Sequence, residues 1–306
     1  MRTVNVRSPL QRIRRNWELY LIMLLPMLII FIFSYGPMFG VQIAFKDFRP
    51  RDGIWGSSWV GFAHFKDFFS SYQFRRILVN TIGISLYGMI AGFPIPIILA
   101  ILVNETSNRT FKKSVQLITF APHFISTVVM TNMILMFISV YGGPINNMLA
   151  ALGADRVDFI ARPEYFKSLF VWTGIWQGMG YSSIIYIAAL SAIDPSLYEA
   201  ATIDGANKLQ KIRHIDLPGI APTIVILLIL NSGSIMNVGF EKIFLMQNNL
   251  NISASDVIAT YVYRVGLEDA QYSFSAAVGL FNSVVNAVLL VLVNQVARKL
   301  GETSLW

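Results

Sequence analysis

The feature that most constrains this chain is a series of six long windows that contain no Asp, Glu, Lys or Arg. An α-helix needs about 20 apolar residues to cross the hydrocarbon core of a bilayer, and every window reaches that length. The sequence therefore predicts an all-α membrane protein. Its six transmembrane helices are expected over about residues 19–45, 77–103, 114–141, 168–193, 217–240 and 270–297.

Composition excludes a soluble globular domain. The 306 residues are 55% hydrophobic and 13% charged, whereas soluble domains carry about 25% charge. A single core at this length cannot bury so much apolar surface. The chain has no cysteine, which excludes disulfides and thiolate metal sites. A net charge of +7 suits anionic lipid headgroups, and we expect no nucleic-acid partner.

Basic residues orient the predicted spans. Residues 1–18 form an arm before the first span that holds five arginines, and residues 298–306 form a tail. Because positive charge beside the first span favours the cytoplasmic side, we expect both termini in the cytoplasm. The first apolar stretch is too long for a signal peptide, and no small-residue cleavage site follows it. Arg75 and Arg76 would then lie outside, against the usual charge rule.

A polar loop over 194–216 separates the fourth and fifth predicted spans. Asp194 is a good N-cap, and Pro195 suits the first position of a helix. Gly205 is placed to end that helix in a left-handed conformation. Asn207 can cap a second short helix. We therefore expect two short helices that meet at a glycine on the cytoplasmic side.

The same loop carries a spaced motif that resembles the EAA loop of permease subunits in bacterial ATP-binding-cassette importers. Its members are Glu199, Ala200, Ala201, Asp204, Gly205, Ile215, Leu217 and Pro218. The resemblance implies the type I importer permease (MetI-like) fold. It also implies that this loop is a coupling helix, which docks on a cytoplasmic ATPase subunit and transmits its motion to the membrane helices.

Three further segments resemble sugar permeases. Residues 37–48 and 239–245 are similar to the LplB-like branch that handles complex oligosaccharides, and residues 60–65 are similar to an outer loop of sugar permeases. The resemblance implies a bacterial cytoplasmic-membrane importer. Its partners would be a second homologous permease chain, two copies of an ATPase, an extracellular solute-binding protein and an oligosaccharide.

The resemblance assigns ATP and Mg²⁺ to the partner ATPase subunits. No G-x-x-x-x-G-K-[ST] phosphate-binding sequence occurs in this chain. We therefore expect no cofactor in this chain and no ATP hydrolysis by it. The chain is predicted to act as a transport subunit and not as an enzyme.

Aromatic and amide side chains inside the spans are candidates for the substrate path. Sugars bind by stacking on aromatic faces and by hydrogen bonds from amides and carboxylates. The same groups also join helices or anchor them at the headgroups, so both interpretations stay open. For His123 we favour helix packing over a proton relay. The candidates are Asn132, Trp172, Trp176, Gln177, Tyr181, Asn237, Phe240, Glu241 and Asn282.

Two other classes of function compete with the importer subunit. A secondary transporter driven by an ion gradient normally has charged groups within its spans, and here the six spans contain none away from their ends. A membrane enzyme needs a catalytic set of side chains. The three histidines, at 64, 123 and 214, lie in separate segments, which argues against such a set.

Overall fold

The computed structural model describes residues 15–299, and this part of the chain is almost entirely helical. The described β-structure is one antiparallel pair, Lys46–Asp47 with Ser58–Trp59. The predicted helical membrane fold is confirmed. Residues 1–14 and 300–306, which include most of the predicted arm and tail, lie outside the described residues.

The helices are numbered in chain order. Between some of them the backbone continues as π-helical turns at Phe31–Tyr35, Ile212–Asp216 and Arg264–Glu268, or as 3₁₀ turns at Gly36–Phe45 and Ala121–Phe124. The helices are α1 Trp17–Ile30, α2 Gly53–Gly56, α3 Ala63–Ser70, α4 Tyr72–Gly92, α5 Pro94–Asn104, α6 Arg109–Phe120, α7 Thr127–Phe137, α8 Pro144–Ala151, α9 Pro163–Ser191, α10 Pro195–Ile203, α11 Lys208–Lys211, α12 Leu217–Ser232, α13 Phe240–Met246, α14 Ile252–Ser255, α15 Ile258–Tyr263 and α16 Tyr272–Lys299.

Four helical stretches in the described chain are long and apolar enough to cross a membrane. They are Trp17–Phe45, Tyr72–Asn104, Lys208–Ser232 and Tyr272–Lys299. Two bent pairs raise the number to six if each pair is one span. The first pair is α6 with its 3₁₀ extension followed by α7, bent by 104°, and the second is α9 followed by α10, bent by 70°.

The third predicted span differs from the expected single helix over 114–141. The helix begins at Arg109, breaks at Ile125 and resumes over Thr127–Phe137. Pro122 lies just before the break and lacks an N–H for the helical ladder. The Ser126 side chain then accepts a hydrogen bond from the Val129 N–H at 3.4 Å and caps the new helix. Local chain chemistry therefore breaks an apolar window that looked continuous.

The fifth predicted span also differs from expectation at both ends. It stops at Ser232 instead of residue 240, and Gly239 adopts φ 72° before α13 begins. At its start, the helix from Lys208 continues through the π-helical turn into α12. The second short helix expected in the polar loop is therefore the first part of this span.

Helix α9 is the centre of the packing, since α4, α5, α6 and α12 all contact it. Its tightest contact is at Gly180, where a Cβ atom would lie 2.1 Å from the carbonyl oxygen of Thr119 on α6. Only a residue without a side chain allows the two backbones to come so close. This contact holds the first half of the broken third span against α9.

We expect Gly180→Ala to lower the melting temperature in detergent, because the methyl group meets backbone that cannot move aside. Overpacking of this kind costs about 1–3 kcal/mol. Gly178→Ala is the matched control on the same helix, since a Cβ there would have no neighbour within 4 Å. Tryptophan fluorescence during heating measures both variants. Equal melting temperatures would contradict the close contact between α6 and α9.

A buried acid fixes the segment after α13 to α4. Asp256 is fully buried and accepts hydrogen bonds from Arg76 at 2.8 Å and Arg264 at 3.0 Å. Asn80 on α4 donates to the carbonyl oxygens of Ser253 and Asp256, at 2.9 and 3.1 Å. The two arginines leave a net positive charge around one carboxylate. Arg76 is predicted to lie on the outer side, against the usual charge rule. Its ion pair with Asp256 gives it a structural role there.

Replacing Asp256 by Asn should strongly destabilise the fold, because two arginines would face each other without a carboxylate. Removing one partner of a buried ion pair typically costs 3–5 kcal/mol, and we expect about that loss here. Asp269→Asn, at an exposed position, is the control. Thermal unfolding and protease sensitivity would report the difference. A variant as stable as the control would show that the ion cluster is dispensable.

Candidate functional site

The polar loop between α9 and α12 begins and ends its helices as predicted. The Asp194 carboxylate accepts a hydrogen bond from the Ser196 N–H at 2.9 Å, and this bond lowers the pKa of Asp194. Gly205 has φ 76°. The N–H groups of Gly205 and Ala206 donate to the carbonyls of Thr202 and Ala201, at 3.1 and 2.8 Å. These two hydrogen bonds together form a Schellman motif, so the predicted glycine cap is confirmed.

The second cap in this loop is reciprocal. The Asn207 side chain accepts from the Gln210 N–H at 3.0 Å, and the Gln210 side chain accepts from the Asn207 N–H at 2.7 Å. A capping box of this kind satisfies two backbone donors that a helix start leaves open. The loop therefore has one well-determined backbone shape with little dependence on the rest of the chain.

Helix α10 projects from the body and presents apolar side chains to solvent. Among the described residues, no other helix packs along it. Glu199, Ala200 and Ile203 recur at helical spacing on one exposed face, and the Ile203 side chain is 87% exposed. Leu197, on another face, is 52% exposed. The small side chain of Ala200 allows another protein to approach this face of the helix closely. The Glu199 carboxylate lies at the edge of the face.

The remaining predicted coupling residues lie toward the C-terminal end of α10 or at the start of α12. Ala201 is partly buried, and Asp204 is exposed beside the glycine cap. Ile215 is partly buried in the π-helical turn, and Leu217 and Pro218 open α12. These positions place the motif around one helix and the start of the next span. Contact with an ATPase subunit stays a prediction.

Sequence reasoning missed a pair of side chains that joins α10 to the residue directly before α12. The Tyr198 hydroxyl donates a short hydrogen bond to Oδ1 of Asp216, whose side chain is fully buried. Burial, and then the bond to Asp216, raise the pKa of Tyr198, so its hydroxyl stays protonated. The sequence signal that could have indicated this pair was Asp216 itself, an acidic residue directly before the apolar run of the fifth span.

The membrane part of the structure contains a cleft of about 410 Å³ between α4, α5, α9 and the region of α12. Tyr181 and Ser182 of α9 and Asn231 of α12 contribute polar groups to its wall. Gly88 and Gly92 of α4 also line it, and a Cβ at Gly88 would have no neighbour within 4 Å. Of the nine substrate-path candidates, Tyr181 therefore lines this cleft.

Several other candidates form hydrogen bonds between helices or helix ends. Gln177 donates to the carbonyl of Ile125 at the break in the third span, at 3.1 Å. The Trp172 indole donates to the Tyr87 hydroxyl at 2.8 Å. These contacts favour the helix-joining interpretation for Gln177 and Trp172.

The candidate amides also have hydrogen-bond partners within the chain. Asn282 donates to Oδ1 of Asn237 at 2.9 Å and so links α16 to the turn after α12. Asn132 donates to the carbonyl of Val128 within its own helix, at 3.0 Å. Hydrogen bonds that join helices or satisfy local backbone are common roles for amides in membrane proteins.

The other candidates lie apart from the 410 Å³ cleft. Phe240 stacks on Phe244 and packs against Tyr263, with ring centroids 5.3 and 5.0 Å apart, and lines a separate hollow of about 340 Å³. Glu241 is exposed beside it, and Trp176 on α9 is 44% exposed. The nine candidates therefore do not form one pocket.

His123 stacks flat on the Tyr181 ring, with centroids 3.9 Å apart and planes 4° from parallel. This is a packing contact, which is the role favoured from sequence. It brings the break in the third span to the face of α9 beside the cleft. Among residues 15–299, no three His, Asp or Glu side chains lie close enough together to hold a metal ion.

Comparison with known proteins agrees with this architecture. Residues 92–302 match the family model described as binding-protein-dependent transport system inner membrane component. The chain is 40% identical to Protein LplB of Bacillus subtilis (strain 168), over 96% of this chain and 92% of that protein. It is 41% identical to the polygalacturonan/rhamnogalacturonan transport system permease protein YteP of the same organism, over 94% of this chain and 90% of that protein.

Two solved structures are also similar. One is a bacterial ABC transporter involved in the import of the acidic polysaccharide alginate, with TM-score 0.87 and 42% identity over 94% of this chain and 98% of that chain. The other is a bacterial alginate ABC transporter in complex with alginate pentasaccharide-bound periplasmic protein, with TM-score 0.89 and 40% identity over 98% of this chain and all of that chain. The predicted family and fold are confirmed. The chain belongs to the inner membrane components of binding-protein-dependent transport systems, and it is a permease subunit of the ABC importer class.

Proposed function

We propose that this permease forms, with a second homologous permease chain, the membrane pathway of an oligosaccharide importer in the bacterial cytoplasmic membrane. Two copies of a cytoplasmic ATPase, which bind ATP and Mg²⁺, drive it, and an extracellular solute-binding protein delivers the sugar. Both termini lie in the cytoplasm. The chain itself catalyses no reaction. The observation that carries the proposal is the exposed, doubly capped helix α10.

The surface of α10 suits a protein groove better than it suits water. Ile203 and Leu197 are exposed although they are apolar, and Ala200 lets another backbone approach closely. Short helices with exposed apolar anchors commonly bind in grooves of a partner. Glu199 offers a charge at the edge of the contact. We infer that this groove belongs to the ATPase, because α10 carries the EAA-type motif.

Polar and aromatic groups exposed at bilayer depth support a pathway shared with a second chain. Asn231 and Asn237 are exposed on or just after α12, and Trp176 and Tyr181 are exposed on α9. Such amides are costly against lipid and normally face a water-filled cavity or another protein. Helix α1 adds to this argument, since no residue of it is buried by its own chain.

The proposed substrate class follows from the similar proteins and from the cleft. One relative is a polygalacturonan/rhamnogalacturonan transport system permease protein, and both similar structures are of bacterial ABC transporters for alginate. In this chain, Tyr181 offers an aromatic face, and Asn231 and Ser182 offer hydrogen-bonding groups. This combination suits sugar rings and their hydroxyls.

Reconstitution with the partner subunits tests the coupling role. We expect Gly205→Val to reduce ATP-driven sugar uptake about tenfold, because left-handed backbone costs a side-chain-bearing residue roughly 1–2 kcal/mol. Glu199→Ala should also lower uptake per ATP while the ATPase still co-purifies. Glu164→Ala, at an exposed position in the first turn of α9, is the control.

Two results would overturn this assignment. Wild-type uptake that continues without ATP and follows an imposed ion gradient would identify a secondary transporter. Normal coupling in both loop variants would remove α10 from the energy pathway. Uptake of acidic and neutral oligosaccharides in parallel would identify the substrate class.

Tyr181 provides a separate test of the sugar path. Stacking on an aromatic ring contributes about 1 kcal/mol, so Tyr181→Ala should raise the KM for uptake about fivefold. Tyr72→Ala is the control, because Tyr72 is 87% exposed at the first residue of α4. An unchanged KM in a well-folded Tyr181 variant would place the sugar elsewhere.

A further inference from the structure

We propose that Tyr198 and Asp216 form the joint through which motion of α10 moves α12. This role rests on the coupling function proposed above, and it assigns the transmission step to one pair of side chains. Both residues are positioning residues, since neither touches the sugar or the nucleotide.

Few side-chain bonds supplement the short capped backbone turn between the two helices. In the described chain, two side-chain hydrogen bonds connect α10 to the segment that leads into α12. One runs from the Tyr198 hydroxyl to Asp216, and the other runs from Lys211 to the Thr202 hydroxyl at 2.8 Å. The Lys211 bond lies on the exposed side of the loop, where water competes with it. The Tyr198 bond is therefore the stronger mechanical link.

Asp216 depends on Tyr198 for its hydrogen bonding. Its side chain is fully buried, and its second carboxylate oxygen, Oδ2, has no hydrogen-bond partner among the described residues. A buried carboxyl group depends strongly on each hydrogen bond that it has, because losing one leaves a buried polar atom without a partner. Movement that separated Tyr198 from Asp216 would be costly. Rotation of α10 should therefore also move the N-terminal end of α12.

The Tyr198–Asp216 pair lies between the polar loop and the helix that lines the cleft. Asp216 immediately precedes α12 and lies on the same continuous helix. One turn later, a Cβ on Gly219 would lie 2.6 Å from the Ile193 side chain, so α12 starts against the hinge between α9 and α10. Further along, Leu227 and Asn231 of α12 line the cleft. Motion that enters at Asp216 therefore reaches the proposed sugar path.

The test uses the full complex reconstituted in vesicles. Tyr198→Phe removes one hydroxyl, and we expect sugar uptake per ATP to fall about tenfold, the usual scale for leaving a buried polar group without its partner. ATPase assembly and ATP hydrolysis should persist. Thr202→Val, which removes the Lys211 bond, is the matched control and should change the ratio less than twofold.

A second set of variants distinguishes a joint from a general loss of stability. Asp216→Asn keeps an oxygen acceptor for Tyr198 and should retain part of the coupling. Asp216→Leu should match Tyr198→Phe, and the double variant should be no worse than either single variant. Additive losses, or normal uptake per ATP in Tyr198→Phe, would overturn the proposal. If Asp216→Leu does not assemble, Asp216→Asn and Tyr198→Phe carry the comparison.

Spin labels measure the motion directly, because the chain has no cysteine of its own. Labels at Ser196 on α10 and Leu228 on α12 occupy exposed positions. Their distance should stay constant between nucleotide-free and ATP-bound wild-type complexes, and it should change in Tyr198→Phe. A change in the wild type would overturn the joint. Failure of the proposed function itself would show differently, as a wild-type complex without ATP-driven uptake.

Discussion

A backbone group at bilayer depth has no water to bond with, so every break in a spanning helix needs a partner from the protein. Two of the irregular places in the described spans show how this constraint acts. At the break in the third span, Gln177 donates to the carbonyl of Ile125. In the turn after α12, the Met236 N–H donates to Asn286 at 3.0 Å. Each amide comes from a neighbouring spanning helix, so the breaks also join the helices.

This constraint explains why several polar residues in the spans form hydrogen bonds within the chain. An amide that satisfies broken backbone has the same residue type as an amide that binds a sugar hydroxyl. Gln177 and Trp172 are engaged within the chain, whereas Tyr181 and Asn231 line the cleft. The third span breaks beside Tyr181, where His123 stacks on its ring. The irregular backbone therefore lies next to the space through which we propose that the sugar passes.

The two ends of the protein differ in how they are ordered. The polar loop over 194–216 obtains its shape from local caps at Asp194, Gly205 and Asn207, and for this reason its form could be predicted from short sequence patterns. The segment that follows α13 is ordered by contacts across the chain. Arg76 and Asp256 are 180 residues apart in sequence, and no local pattern links them. The basic residue that looked misplaced under the charge rule is the one that this long-range pair explains.

The sequence by itself determined the helical class, the approximate position of the spans, the capped loop and the family, because hydropathy and capping act over one to six turns of helix. It did not determine where the third and fifth spans break, since a proline or glycine in an apolar window can either bend a helix or end it. Nor did it determine which polar residues pair with which. The tertiary structure alone brought Tyr198 to Asp216 and Gln177 to Ile125, because those contacts depend on how the helices cross.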